Sequence, residues 1–357
     1  MIKYIGSKRV LVPTIVATIA GFPGVRSVLD LFSGTSRVGH ALKQRGYHVH
    51  ANDHLTYAAV LARCYVEADA RKVADDAQAL IDELAHATPR EGYVTEVFCH
   101  QARYFRPANG RRIDGIRDRI ERLDLCPTLR AIALTSLMEA ADRVDSTTGV
   151  QMAYLKRWAP RAYNHLQLRV PHLLPGPGTA SQHDALKAAM EVEADVAYLD
   201  PPYNQHSYMG NYHVWETLAR WDHPEHYGVA CKRIECQSYK SSFNRKREIG
   251  DAMRAILDAL QARFVVVSFN NEGYLDRKEL EAMLRERGHV RTVVVDHRRY
   301  VGARIGIHNP RGEKVGRISH LRNKEMLYLA GADEEAVDGA FERATAHGGN
   351  GQLGAAP

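Results

Sequence analysis

Val28-Leu29-Asp30-Leu31-Phe32-Ser33-Gly34-Thr35-Ser36-Arg37-Val38-Gly39 sets the frame for the whole chain. Its apolar run reads as a buried strand, small residues then make a turn, and residues 38–45 carry a helical pattern. Gly34 lets backbone approach a ligand closely, and the start of the helix offers free N–H groups. A second strand through Tyr47, Val49 and Ala51 ends at Asn52-Asp53. An acid about 20 positions beyond a glycine turn is placed to accept hydrogen bonds from ribose hydroxyls. Together these elements predict a βαβ-like half-site for an adenosine-containing cofactor, although the full G-x-G-x-x-G spacing is absent.

The other half-site is expected where Val196-Ala197-Tyr198-Leu199 meets Asp200-Pro201-Pro202-Tyr203. A buried strand halted by two prolines ends at its carboxyl edge, where open α/β sheets bind ligands. Asp200 offers a carboxylate, the Pro201 carbonyl a second acceptor, and Tyr203 a ring that can stack on a planar base. Two acceptors aimed at one exocyclic amine localise its lone pair. The tetrapeptide alone fits a strand-end turn with a buried tyrosine equally well. Residues 204–213, rich in amides and aromatics, suit the wall of a pocket for an extruded base. Further on, Lys240, Arg245 and Lys246 surround Phe243, and Arg298 lies in a second basic-aromatic cluster. Such cations are candidates for phosphate contact, or simply a solvated surface.

Between the half-sites, residues 54–171 show long helical periodicity and no convincing strand, which predicts a helical insertion. Within it Arg111 and Arg112 close a basic, aromatic stretch that suits either nucleic-acid contact or a solvated loop. Residues 171–178 form a Pro/Gly-rich connector, so the catalytic half is expected over 172–330. Asp184 follows as a helix cap or as an acid facing a cofactor's adenine amine. Residues 331–357 lack a core pattern and read as a mobile, dispensable tail.

The 357 residues and 45% hydrophobic content suffice for one large domain with an insertion. No apolar run approaches the length of a membrane span, and the N-terminus lacks the apolar core of a signal peptide. The five cysteines, without dense spacing, fit reduced thiols in the cytoplasm, and no metal site is expected. The net charge of +6 is compatible with a polyanionic partner.

With these pieces in order, the chain resembles the adenine-specific DNA methyltransferases, in particular the Dam-like group, over roughly residues 3–330. The resemblance implies a Rossmann-like α/β sheet dependent on S-adenosylmethionine. Residues 1–53 would be its cofactor-binding half, and 54–171 an inserted target-recognition domain. Tyr4 and Lys8 fall in the stretch similar to the family's N-terminal cofactor motif. Asp30, Phe32, Ser33 and Gly34 match its glycine turn, Asp53 its ribose acid and Asp184 its adenine-facing acid. Asp200, Pro201, Pro202 and Tyr203 match the catalytic motif. The implied reaction is methyl transfer to N6 of an adenine flipped from double-stranded DNA, with Asp200 needing no shifted pKa. The family often carries a second glycine where this chain has Ser36. A cognate restriction endonuclease is a possible partner under this resemblance. An RNA adenine methyltransferase and a catalytically silent DNA-binding relative are the alternatives. Glutamine methylation fits less well, because that motif typically opens with asparagine.

Overall fold

The computed structural model describes residues 1–6, 8–152, 154–155, 157–298 and 322–348. Its apolar runs become strands covered on both faces. These are β1 (Ser27–Asp30), β2 (His48–Asn52), β3 (Gly178–Ser181), β4 (Glu193–Leu199), β7 (Gln261–Asn270), β8 (His289–Arg298) and β9 (Arg322–Gly331). They form a seven-stranded sheet in the order β3-β2-β1-β4-β7-β9-β8. Pairing is parallel from β3 through β7, and β9 runs antiparallel to both its neighbours. A small hairpin of β5 (His226–Tyr227) and β6 (Lys232–Arg233) stands apart.

Strand periodicity sorts side chains between two cores. Phe264 and Val266 of β7 enter one, with Val196 and Tyr198 of β4, while Val265 and Val267 enter the other with Ala197 and Leu199. Helices α1 (Val12–Ile19) and α2 (Arg37–Gln44) cover the first face. Helices α7 (Ala185–Glu191), α10 (Ile249–Ala259) and α11 (Arg277–Arg285) cover the second. Because the chain leaves β1 towards β2 and β3, yet returns on its other side as β4, the carboxyl edge opens between β1 and β4. Such a switch point leaves a crevice.

The segment between β2 and β3 is helical, as its periodicity predicts: α3 (Thr56–Ala62), α4 (Ala70–Ala85), α5 (Pro107–Arg122) and α6 (Pro127–Val144). Its core does not end near residue 171. Helices α8 (Tyr208–Asn211) and α9 (His213–Arg220) join it, with Tyr212, Val214, Trp215 and Leu218 buried among Tyr57, Phe98, Ile113 and Leu137. The buried Glu216 carboxylate accepts from the N–H groups of Thr56 and Tyr57 at 3.2 and 3.1 Å, closing the start of α3. The segment after Asp200 is thus part of the helical layer.

The expected tail at 331–357 requires correction. Helix α12 (Glu334–His347) begins with Asp333 accepting from the Ala336 N–H at 3.0 Å and buries Ala336, Val337, Ala340 and Ala344. It lies so close to the end of α1 that a Cβ on Gly21 would meet Ala340 Cα at 2.5 Å. Three of these four are alanines, which carry little hydropathy signal. Residues 349–357 lie outside the described residues. Arg291 ties α12 to β8 through two hydrogen bonds to Asp338, at 2.6 and 3.0 Å. His289 adds a third contact at 2.9 Å.

Removing residues 333–357 uncovers this face of the sheet. The expected outcome is a thermal midpoint lowered by several degrees or insoluble protein; an unchanged midpoint would contradict the packing role of α12.

Candidate active site

The glycine turn is shaped by backbone. The Leu31 N–H reaches the Tyr198 carbonyl at 3.1 Å and the Ser33 N–H the Asn52 carbonyl at 2.9 Å, so β1 is held to both neighbours as it ends. The chain then turns through Gly34 (φ 51°) and Ser36 (φ 56°), with the Ser36 N–H on the Ser33 carbonyl at 2.6 Å. Ser36 therefore adopts the left-handed conformation that a glycine takes without strain. The turn survives the loss of the family's second glycine, at a cost of about 1–2 kcal/mol.

Asp53 closes the turn. Its two carboxylate oxygens accept from the N–H groups of Gly34 at 2.9 Å and Leu55 at 3.0 Å. Burial raises its pKa, and these bonds oppose the rise. Asp30, at the end of β1, accepts from the Gly39 N–H at 3.0 Å. Burial, with the Asp200 charge nearby, pushes its carboxyl up to about 8. Asp184 caps α7 by accepting from the Leu186 N–H at 2.9 Å, and it also faces the crevice.

The N-terminal segment crosses this edge. Tyr4 packs its ring near-parallel to those of Tyr208 and Tyr212, with centroids 5.1 and 4.5 Å away, and its hydroxyl meets that of Tyr57 at 3.1 Å. Lys8 Nζ lies 3.0 Å from Asp200 Oδ1 and also pairs with Glu325. Burial alone would lower the ammonium's pKa, but the two carboxylates hold it well above its ordinary value. Asp200 is partly recessed, and its carboxyl is pushed up to about 6 by burial, against the pull of Lys8.

These groups line one cavity of about 510 Å³. All eight predicted cofactor residues face it: Tyr4, Lys8, Asp30, Phe32, Ser33, Gly34, Asp53 and Asp184. Asp200 and Pro202 join them. Pro201 is buried beneath, and Tyr203 stands beside the cavity with its ring on Phe269 at 5.5 Å. The candidate DNA cations scatter. Lys240 lies at the cavity, Arg245 pairs with Glu248 at 2.8 Å, and Lys246 is exposed. Arg111 pairs with Glu91 at 3.1 Å, and Arg112 donates to the Ala85 carbonyl at 3.1 Å. Arg298 ends β8, and its side chain lies outside the described residues.

Sequence reasoning missed several wall residues. His54 and Tyr239 stack at 5.4 Å beside the cavity, and Phe243 packs edge-on against Phe32 at 5.2 Å. Asn244 donates to the carbonyls of Asn204 at 2.7 Å and His206 at 3.2 Å, holding the loop after Asp200. A polar residue amid the basic run Arg245-Lys246-Arg247 gave no hint of this. Nor did Glu325, whose partners lie in distant segments.

A mostly parallel sheet with an antiparallel strand near one edge, and a cavity at its switch point, is consistent with the fold of S-adenosylmethionine-dependent methyltransferases. The chain belongs to the D12 class N6 adenine-specific DNA methyltransferase family, whose model matches residues 4–283. It is 30% identical over 302 residues to the modification methylase StsI of Streptococcus sanguinis, covering 80% of this chain and 46% of that protein. With the type II methyltransferase M.FokI of Planomicrobium okeanokoites it shares 32% identity over 279 residues, 73% of this chain and 43% of the relative. Against the type II methyltransferase M.NlaIII of Neisseria lactamica, identity is 28% over 341 residues, 92% of this chain and 98% of the relative. The chain thus spans less than half the length of the first two relatives and nearly all of the third.

Ser36→Gly is expected to leave stability unchanged or raise it by about 1 kcal/mol, whereas the β-branched Ser36→Val should lower it by about 2 kcal/mol or more. Denaturant midpoints of the two variants check this; equal midpoints would argue against the left-handed turn.

Proposed function

We propose that the chain is a site-specific DNA adenine-N6 methyltransferase that uses S-adenosylmethionine and acts on an adenine turned out of duplex DNA. The observation that carries the reading is the cavity, which joins the glycine turn and Asp53 to Asp200 and Pro202 on one sheet edge.

The residues fit such a cofactor. Each Asp53 oxygen keeps a lone pair for a ribose hydroxyl after its backbone bond. Phe32 and Asp184 suit the purine end. Asp30, buried and short of a counter-charge, suits an α-ammonium, and the Tyr4 ring lies against the Gly34 turn. When bound, S-adenosylmethionine supplies an electrophilic methyl on a sulfonium.

The chain's own work is to position the base amine. The Asp200 carboxylate and the Pro201 carbonyl each accept one amine hydrogen bond, which localises the nitrogen lone pair. The amine gives up its proton once it has become cationic, and an ionised Asp200 stabilises that charge. Tyr203 supplies a ring for stacking, worth about 1–3 kcal/mol per base against the few kcal/mol of flipping.

Phosphate contact falls to Lys240, Arg245 and Lys246, near or beside the mouth of the cavity. Arg111 and Arg112 are engaged within the protein and serve the helical layer instead. That layer, residues 54–171 joined by 208–231, is the proposed target-recognition element. Relatives named as modification and type II methyltransferases support a cognate restriction endonuclease as partner. Among the described residues no helix is long and apolar enough to cross a membrane. The cytoplasm is the proposed location, where DNA is at hand.

Expression in a host without adenine methylation, followed by sequencing for N6-methyladenine, tests the activity. Methylation of one short motif is expected, and its loss with Asp200→Ala while the variant's cofactor affinity stays near wild type. Methyl groups in RNA but not DNA would overturn the substrate. The rate should also fall as pH drops through about 6, where Asp200 takes up a proton. A flat profile across that range would remove Asp200 as the acceptor. Lys246→Ala should weaken DNA binding uniformly across sequences and reduce the salt slope by about 1.

A further inference from the structure

Glu325 is an anomaly in β9. It precedes the apolar run Met326-Leu327-Tyr328-Leu329, is 6% exposed, and lies behind the reacting edge. One carboxylate oxygen pairs with Lys8 and accepts from Ser268 Oγ at 3.0 Å, and the other accepts from Asn270 Nδ2 at 3.4 Å. Lys8, 7% exposed, reaches from Glu325 to Asp200 Oδ1 at 3.0 Å. Burying an ion pair is often no more stabilising than an apolar core of the same volume, so stability alone does not account for this chain of charges.

We infer that Glu325 is a positioning residue for methyl transfer: it anchors Lys8 and offsets its charge, so that Lys8 orients Asp200 without neutralising it. The inference rests on Asp200 being the acceptor of the base amine. Lys8 alone against Asp200 would form a tight neutral pair. Its charge would then oppose the positive charge that develops on the amine. With Glu325 bound to the far side of the ammonium, the trio keeps a net negative charge at the site where a cation forms. The other titratable groups around Asp200 are Asp30 from β1, Tyr198 and Tyr203 from its own segment, and Tyr208 from α8. Each tyrosine is held neutral far above neutral pH, and burial pushes the Asp30 carboxyl up to about 8, so around pH 6 Lys8 and Glu325 are the charges that act on Asp200.

The test uses the full chain and follows tritiated methyl transfer into unmethylated phage DNA at saturating cofactor, across pH. Calorimetric binding of S-adenosylmethionine is the second readout. Glu325→Gln should lower kcat about tenfold or more while leaving cofactor affinity within about twofold. The acid limb of its profile should move to lower pH, because the lost charge was raising the Asp200 pKa. Lys8→Gln should move the limb the opposite way. In the Lys8→Gln background, adding Glu325→Gln should cost little more, since both act through the same ammonium. Wild-type kcat and an unmoved limb in Glu325→Gln would overturn the inference, as would full additivity of the pair. If Glu325→Gln does not fold, Glu325→Asp takes its place: the shorter acid draws back from Lys8 and should move the limb the same way by less. Asp200→Ala, which removes the acceptor, separates the two levels. If it stays active, the acceptor reading itself falls; if it is dead while Glu325→Gln behaves as wild type, only the role of Glu325 falls.

Discussion

A single buried ammonium joins three distant segments at the carboxyl edge of the sheet. Lys8 comes from the N-terminal segment, Asp200 from the end of β4 and Glu325 from β9, and the Lys8–Glu325 pair spans 317 residues of sequence. Taking three charges out of water costs several kcal/mol per ion unless each is met by a partner. Here each is met: Glu325 also receives Ser268 and Asn270, and Lys8 lies between its two carboxylates. The strand order makes the meeting possible, because β4 and β9 both flank β7. An antiparallel β9 brings the start of that strand, where Glu325 sits, to the edge at which β4 and β7 end. The reversed strand thus supplies a charge that a parallel one would carry at its other end.

The same edge collects the glycine turn. β1 stops at Asp30 and β2 at Asn52, and the two exits converge through the Gly34–Asp53 hydrogen bond. The acid expected to read ribose therefore also fixes the turn, so its side chain is oriented before any ligand arrives. Asp30 and Asp200 stand near enough for the charge of one to raise the pKa of the other. Asp30, Asp200, Glu325 and Lys8 thus meet on a single sheet edge. The sheet's topology places them there.

Much of this was legible in the sequence, for physical reasons that can be named. The apolar runs at 28–31, 196–199 and 264–267 alternate between two cores because both sheet faces are covered, and such strands read clearly. Gly34 and Asp53 were legible because backbone approach and a spaced acid have few other uses. Helix α12 was not legible, because its buried face is mostly alanine and its neighbours are charged. Arg111 and Arg112 read equally as nucleic-acid contacts or as a solvated loop, because sequence shows a cation but not its partner. Arg111 pairs with Glu91 and Arg112 with the Ala85 carbonyl, and neither partner is marked by spacing. Glu325 was hidden for the same reason, since an acid in a strand reads as solvated until Lys8 is seen beside it.

The partition into halves and insertion is where sequence order and packing diverge most. A helical segment bounded by connectors reads as a separate body, yet α9 enters its core and Glu216 caps α3 from 159 residues away. Tyr212 extends the link, accepting from the Ile5 N–H at 2.5 Å while stacking on Tyr4. The loop that follows Asp200 is therefore gripped at one end by the helical layer and the N-terminal segment. At the other, Asn244 holds it through two carbonyls. The contacts that tie the helical layer and the N-terminal segment to the Asp200 loop thus run through α8 and α9.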